Sequence, residues 1–236
     1  MTSDFSGAGL TLILNDDNNN YSVLMAKSNS NKEFKKYVWL FPGGRRNGTE
    51  LPHQTAYREF IEEVFNVIVT DEIVNEIIDL ISLNKTLYPI NTTIASNNSK
   101  SSYTFIQSSD AITIFVNVLK KHNIKSDVFP FGYNSLYDSQ QKVNIYQFCA
   151  QRRYINDPSL PEKNELVFIT MIPLNNLLFS IYRTPKYKDV FHYHGENLKV
   201  HVPSSIKFID KFFKDKTESV EVLTNILESS CKIEDK

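Results

Sequence analysis

Cysteine, glycine and tryptophan are scarce in this sequence, which has two, seven and one of them among 236 residues. Cys149 and Cys231 are too few for a disulfide framework or a cysteine-rich zinc module. No apolar run reaches the roughly 18 residues that a membrane-spanning helix needs. The first residues also lack the basic segment with which a secretory signal begins. We therefore expect an intracellular, cytoplasmic protein with no membrane partner.

An excess of one charge is absent too, because 26 lysines and arginines stand against 27 acidic residues. A net charge of -1 excludes a polycation that binds nucleic acid through bulk charge, so such a role would need a local basic patch. Hydrophobic residues make up 41% of the chain. This length and composition suit a single domain over residues 1–236 that buries a core of its own.

Alternating apolar residues between turn-forming segments predict several β-strands. Gly9–Leu14 and Tyr21–Ala26 predict a hairpin, because a run of Asp and Asn separates them. Tyr37–Phe41 predicts a third strand, which a Pro-Gly-Gly turn ends. Val143–Ala150 and Glu165–Ile172 predict two more strands later in the chain.

Apolar residues that recur at every third or fourth position predict helices over Leu51–Phe65 and Asp71–Leu83. Two further helices are predicted within residues 203–236. Strands before and after a central helix, with more helices at the end, predict an α/β sandwich.

The helix over Leu51–Phe65 carries three glutamates on one face, Glu59, Glu62 and Glu63. Like charges at this spacing destabilise a bare helix by about 0.2–0.5 kcal/mol per pair. A divalent cation would remove that repulsion, since Mg2+ prefers carboxylate oxygens and water. Such an ion beside an arginine would also supply what pyrophosphate cleavage needs, charge neutralisation and an acidified water. The alternative is an acidic helix face in solvent.

The spacing around these glutamates matches a known motif at every fixed position from Gly44 to Glu63. In this chain the motif is Gly44-x5-Glu50-x7-Arg58-Glu59-Phe60-x-Glu62-Glu63, and it resembles the Nudix box of the Nudix hydrolases. The family box continues with a glycine where this chain has Phe65. We expect Asn66, which tolerates left-handed dihedrals, to end the helix one residue later. This departure and the preceding Phe-Pro-Gly-Gly turn are loosely similar to members of the family from large DNA viruses.

The resemblance implies a Nudix-type α/β/α sandwich with a mixed sheet, in which residues 84–142 are an insertion after the box helix. Within that segment, Asn91–Ser102 is predicted as a polar loop, and Ala111–Leu119 fits a strand or a helix. The segment is rich in tyrosine and phenylalanine, so we expect it to form a wall that stacks on a base and selects the substrate. A dimer interface or an inert decoration is the alternative.

The resemblance also implies which residues bind metal. Glu59, Glu62 and Glu63 would hold one to three Mg2+ or Mn2+ ions, and the carbonyl of Gly44 would be a further ligand. These ions would activate a water that attacks phosphorus.

Two other box residues, Glu50 and Arg58, would hold the loop and the helix together by pairing with each other or with the metal-binding glutamates. The general base in this family is either a glutamate of the box or an acid outside it. Here the box candidates are the last two glutamates of the motif, and the outside candidates are Glu162 and Glu165.

The activity implied is hydrolysis of a nucleoside diphosphate linked to another moiety, such as ADP-ribose, a dinucleotide or a nucleotide-sugar. Two alternatives stay open: hydrolysis of the 5′ cap of mRNA, which needs a basic track for the RNA, and a Nudix-like domain that senses a nucleotide without cutting it. Arg45, Arg152 and Arg153 are the candidate contacts to substrate phosphates.

Three histidines near the C-terminal end, His192, His194 and His201, alternate as zinc ligands can. No cysteine or acidic residue stands at zinc-finger spacing, so a surface strand or a strand that faces a ligand is expected instead. Cys149 and Trp39 lie in apolar segments, which favours a place in the core.

Overall fold

A computed structural model describes residues 5–15, 21–29, 36–87, 89–96, 99–107, 110–153, 155, 166–173, 190–193 and 196–200. The helices predicted within residues 203–236 lie outside these ranges, as do Glu162, Glu165, His194, His201 and Cys231. The described side chains do not include those of Trp39 and His192.

The described residues form one mixed sheet of nine strands. The strands are β1 (Gly7–Asn15), β2 (Tyr21–Asn29), β3 (Lys36–Leu40), β4 (Gly43–Arg45), β5 (Pro89–Ser96), β6 (Ser99–Gln107), β7 (Leu166–Pro173), β8 (Val190–Tyr193) and β9 (Glu196–Val200). Their order is β5-β6-β1-β2-β3-β9-β8, with β4 paired to β1 and β7 paired to β2. The β1–β6 and β3–β9 pairs are parallel. The β1–β2 hairpin and the strands predicted at β3 and β7 are thus confirmed.

Four α-helices lie within the described ranges: α1 (Pro52–Phe65), α2 (Asp71–Leu83), α3 (Asp110–Lys121) and α4 (Ile145–Gln151). The first two confirm the helices predicted from apolar periodicity. A proline at the first position of α1 costs no hydrogen bond, because that amide would have no partner within the helix. Asn66 follows α1 in the left-handed conformation, with φ 54° and ψ 49°, which confirms the predicted helix end.

The prediction of a polar loop over Asn91–Ser102 was wrong, because β5 and β6 form a hairpin there. The segment holds β-branched residues among its polar ones, and these suit a strand. β6 also pairs in parallel with β1 from Gly7 to Ile13. That pairing partner lies far away in sequence, so the local composition did not indicate it.

The strand predicted over Val143–Ala150 was also wrong, since α4 occupies most of this segment. The side chain of Asn144 accepts hydrogen bonds from the amides of Tyr146 and Gln147 and so caps the helix. Ile145, Phe148 and Cys149 are buried at helical spacing. The other ambiguous segment, Ala111–Leu119, is also helical, within α3.

Side chains on both faces of the sheet are buried along the central strands β1 and β2. Leu10 and Leu12 of β1 belong to the same hydrophobic cluster as Phe60 of α1. Successive side chains of a strand point to opposite faces, so Ile13, which follows Leu12, lies on the other face of the sheet. Ile13 and its partner Val23 in β2 are buried as well. A mixed sheet with helices packed on it and buried side chains on both faces of its central strands agrees with the predicted α/β/α sandwich.

The segment predicted as an insertion, residues 84–142, contributes β5, β6 and α3 to the sheet and the core. Phe115 of α3 is fully buried, and its ring packs against those of Phe60 and Phe65 of α1. The boundaries of the insertion stay a prediction. No helix in the described ranges is both long and apolar enough to cross a membrane.

Candidate active site

The candidate site begins at a short strand that leads into the box helix. β4 pairs antiparallel with β1, so that Gly7 faces Arg45 and Gly9 faces Gly43. The approach is close: a Cβ atom on Gly43 would lie 2.5 Å from the Cα of Gly9, and one on Gly44 would overlap the Glu59 carboxylate. The lack of a side chain at Gly43 lets the main chain of β1 approach closely, and the lack of one at Gly44 leaves room for the carboxylate of Glu59.

Arg58 is the centre of the network on α1. Its Nε donates to Glu50 Oε1 at 2.6 Å, and one terminal nitrogen donates to Glu59 Oε1 at 2.9 Å and to Glu62 Oε2 at 2.7 Å. The other terminal nitrogen donates to the carbonyl of Arg45 at 2.9 Å. The arginine is only 6% exposed. One buried guanidinium thus joins β4, the loop after it and the acidic face of α1, which is the pairing that the resemblance implied for Glu50 and Arg58.

Glu50 holds the loop between β4 and α1. Its carboxylate accepts hydrogen bonds from Arg58, from the hydroxyl of Thr55 at 2.6 Å and from the amide of Asn47 at 2.9 Å. Burial alone would raise the pKa of Glu50, but these hydrogen bonds outweigh it and hold the pKa below its ordinary value. Burial would lower the pKa of Arg58, and the hydrogen bond and charges of its carboxylate partners raise it instead.

This pKa shift predicts a pH-dependent contribution to stability. Above the ordinary carboxyl pKa of 4.5, ionised Glu50 should make the wild-type chain more stable than Glu50→Gln, by roughly 1.5–3 kcal/mol for hydrogen bonds to a charged group. The advantage should fall as the pH drops through the lowered pKa of the folded state. Urea unfolding between pH 3 and 7 measures it. Glu72→Gln, at an exposed position of α2, is the control, and an equal pH dependence in both variants would contradict the prediction.

The last glutamate of the box, Glu63, faces the glycine strand β4. The amide of Gly43 donates to Glu63 Oε2 at 2.8 Å, while the carboxylate of Glu59 lies against Gly44. The three glutamates therefore project from α1 towards β4 and Arg58. The sequence pattern predicted this common face, and the structure brings it next to the predicted glycine turn.

The donor chemistry of this network fits a hard divalent cation. Three carboxylates, of Glu50, Glu59 and Glu62, pair with the guanidinium of Arg58, and the carboxylate of Glu63 accepts from the Gly43 amide beside them. Negative charge is therefore in excess over the single guanidinium of Arg58. Oxygen ligands with excess negative charge are what Mg2+ and Mn2+ prefer. Among the described residues, no three acidic, histidine or cysteine side chains already form a metal-binding group.

A groove of about 590 Å³ opens beside the network. Its lining includes Glu62, Arg58 and Glu50, together with the exposed Ile68 and the half-buried Val69. Its further lining residues are Asn47, Gly48, Thr49, Gln54 and Asp71. The sequence analysis did not predict a role in the site for these further lining residues. It also missed Thr55, a fully buried hydroxyl whose signal was its position three residues before Arg58 on the same helix face.

The three arginines predicted to contact substrate lie in different environments. Arg45 is exposed next to the network. Arg153 is exposed too, with its guanidinium 5.0 Å from the centre of the Phe131 ring. Arg152 is buried, and its guanidinium donates to three main-chain carbonyls. This burial corrects the prediction of Arg152 as a phosphate contact.

Cys149 is buried, as predicted. Burial raises the pKa of its thiol to about 12, so the thiolate that a nucleophile needs is not formed near neutral pH.

Residues 6–112 match the family model of the NUDIX domain. These residues include β1, β4, the matched box positions from Gly44 to Glu63 and the helix α1, and they extend into the segment predicted as an insertion. The match confirms, for residues 6–112, the Nudix resemblance that the box predicted. The loose similarity to members from large DNA viruses stays a prediction.

Several solved structures are similar to this chain. A C. elegans Ap4A hydrolase binary complex is 17% identical, with 43% of this chain and 64% of that chain covered and a TM-score of 0.28. The Nudix hydrolase RenU from M. smegmatis is 19% identical, with 44% and 59% covered and a TM-score of 0.29. The chain thus spans less than two thirds of each of these proteins.

The NUDIX domain of Shewanella oneidensis NrtR, in complex with ADP ribose, is 12% identical, with 76% and 79% covered and a TM-score of 0.33. Among curated proteins, no significant match was found.

Proposed function

We propose that this protein hydrolyses a pyrophosphate bond in a nucleoside diphosphate linked to another moiety, with the help of a divalent cation. The observation that carries the proposal is the Nudix box from Gly44 to Glu63 in a matched NUDIX domain, with its three metal-binding glutamates held between Arg58 and the glycines of β4. An acidic helix face left in solvent does not need a buried arginine beside it. The degenerate alternative, a domain that only senses nucleotides, has no reason to keep the repulsion among the three carboxylates.

Within this proposal, Glu59, Glu62 and Glu63 and the carbonyl of Gly44 hold one to three Mg2+ or Mn2+ ions. When bound, such an ion neutralises the charge of the pyrophosphate and acidifies a water molecule.

The general base of the proposed reaction is Glu62 or Glu63. Glu62 adjoins the groove, and Glu63 has a fixed orientation through the amide of Gly43. Glu165, the candidate from outside the box, lies beyond the described residues and stays an alternative base.

The groove supports a nucleotide-sized substrate. Its volume of about 590 Å³ lies within the range of roughly 300–1,000 Å³ that is typical of small-molecule sites. Polar loop residues and the apolar Ile68 and Val69 offer both hydrogen bonds and an apolar contact. We therefore place ADP-ribose, dinucleotides and nucleotide-sugars ahead of capped RNA. A cytoplasmic location belongs to the same proposal, on the strength of composition.

A substrate panel tests this proposal. ADP-ribose, dinucleoside polyphosphates, nucleotide-sugars, nucleoside triphosphates and capped RNA are each incubated with the full chain and Mg2+ or Mn2+, and the products are separated by chromatography. We expect cleavage of at least one small nucleotide, and none after chelation of the metal.

Two results would contradict parts of the proposal. Tight binding of a nucleotide in calorimetry, with no product formed in either metal, would favour the sensing domain. Preferred cleavage of capped RNA, with a steeper loss of activity in salt than for ADP-ribose, would favour decapping, because each phosphate contact to the RNA adds to the salt slope.

A further inference from the structure

Arg152 lies directly after α4 and is 4% exposed. Its Nε donates to the carbonyl of Val64 at 2.7 Å, and one terminal nitrogen donates to the carbonyl of Glu63 at 3.1 Å. The other terminal nitrogen donates to the carbonyl of Leu166 in β7, also at 3.1 Å. One side chain thus connects the last turn of the box helix to the central sheet.

The last turn of a helix needs such donors, because its final carbonyls have no partner within the helix. In this chain the carbonyls of Glu63 and Val64 receive them from Arg152, and the hydroxyl of Ser126 donates to the carbonyl of Phe65. Three consecutive carbonyls are therefore satisfied by residues from far along the chain. A cation at this end also complements the negative end of the helix dipole.

The residue that replaces the box glycine contributes to the same anchoring. The ring of Phe65 is fully buried and contacts the rings of Phe115, Phe129, Tyr133 and Phe148. A glycine would end the helix through its own flexibility. Here Phe65 holds the helix end in the core, and Asn66 takes the left-handed conformation in its place.

Glu63 is consequently fixed at both ends. Its carbonyl accepts from Arg152 at 3.1 Å, and its carboxylate accepts from the amide of Gly43 at 2.8 Å. We infer that Arg152 is a positioning residue, which sets the place of the Glu63 carboxylate, and hence of any cation that this carboxylate would bind, through the main chain of the last turn of α1. The role of Glu63 in binding a cation rests on the proposed function. That Arg152 holds the end of α1 in place rests on these hydrogen bonds alone.

The planar guanidinium suits this role better than an ammonium group does. Its donors point in fixed directions and reach three carbonyls on two elements, whereas a lysine presents one flexible nitrogen. Arg152→Lys should therefore keep a charge at the helix end but lose the bridge from α1 to β7. Arg152→Met removes both the charge and the donors.

The test compares these two variants with wild type and with Lys125→Met, which removes an exposed cation next to Ser126 and serves as the matched control. Mn2+ binding is measured by calorimetry without substrate, and amide hydrogen exchange is measured in the peptide that covers residues 60–67. We expect Arg152→Met to weaken Mn2+ binding by about 10–100-fold, as loss of a group that orients a ligand does. Exchange at the end of α1 should become faster, Arg152→Lys should give smaller effects, and Lys125→Met none.

Turnover gives a third measurement, in which kcat should fall more than KM rises, because the groove itself is unchanged. A folded Arg152→Met variant with wild-type Mn2+ affinity and wild-type exchange would overturn the inference. If Arg152→Met does not fold, wild-type Mn2+ affinity in Arg152→Lys would overturn it instead. Failure of the proposed function would look different from failure of this inference. The wild-type chain would then cleave nothing in the panel, but Arg152→Met would still show faster hydrogen exchange at the end of α1.

Discussion

Replacement of Glu63 by glutamine should reduce turnover by about 10²–10⁴-fold, the range expected for loss of a group that transfers a proton or holds the reacting assembly. Glutamine has the same shape and keeps an oxygen that can accept from the Gly43 amide, as Glu63 does at 2.8 Å. The charge is the main thing removed. We therefore expect a steady-state assay on the best substrate of the panel to show the loss, while the circular dichroism spectrum and the melting temperature stay close to those of wild type.

Glu72→Gln is the matched control for this variant, because it removes an exposed carboxylate from the first turn of α2. It should leave turnover unchanged. Near-wild-type turnover in Glu63→Gln would show that the box glutamates do not hold the metal in the proposed way. If Glu63→Gln fails to fold, the charge of Glu63 is needed for stability. We do not expect this, because glutamine can keep both hydrogen bonds, from the Gly43 amide to the side chain and from Arg152 to the main-chain carbonyl.

The box helix and its acidic face were predictable because both depend on local geometry. Residues three and four apart on a helix lie on one face whatever surrounds them, so Glu59, Glu62 and Glu63 had to project together. The left-handed Asn66 was also predictable, since few other residues tolerate that conformation. The pairing of Arg58 with Glu62 is a contact between positions i and i+4 on the same helix.

Long-range contacts explain what the sequence analysis missed. Arg152 is 88 residues from Val64 in sequence, so a run of two arginines and a tyrosine gave no sign that the first of them is buried against α1. The β5–β6 hairpin gains its place from parallel pairing with β1, which no local pattern encodes. The error at α4 was avoidable, because Asn144 before buried residues at i, i+3 and i+4 is a helix-start signal.

The contrast between the two glycines of β4 gives the second large expected effect. A Cβ on Gly43 would meet main chain, 2.5 Å from the Cα of Gly9 and 2.7 Å from the carbonyl oxygen of Ala8. Paired strands cannot separate locally at low cost, so Gly43→Ala should destabilise the fold by roughly 1–3 kcal/mol. Thermal unfolding measures this loss, which corresponds to a decrease in melting temperature of several degrees for a chain of this size.

The three atoms nearest to a Cβ on Gly44 would all belong to the carboxylate of Glu59. A flexible side chain can move away, so Gly44→Ala should unfold close to the wild-type temperature. In the wild-type chain the Glu59 carboxylate accepts a hydrogen bond from Arg58 at 2.9 Å. In Gly44→Ala the carboxylate would have to leave that position. Because a displacement of about 1 Å in a catalytic assembly can cost 10²-fold, we expect turnover to fall by roughly 10–100-fold.

A double-mutant cycle separates this mechanism from a general disturbance of the loop. If Gly44→Ala acts by displacing Glu59, then adding it to Glu59→Ala should cause little further loss, since the group that it displaces is already gone. The turnover of the four proteins, measured at saturating Mg2+, should therefore show strong non-additivity. Additive losses would show that Gly44 acts through another contact, such as that of its carbonyl with the metal, and would remove the carboxylate displacement as the cause.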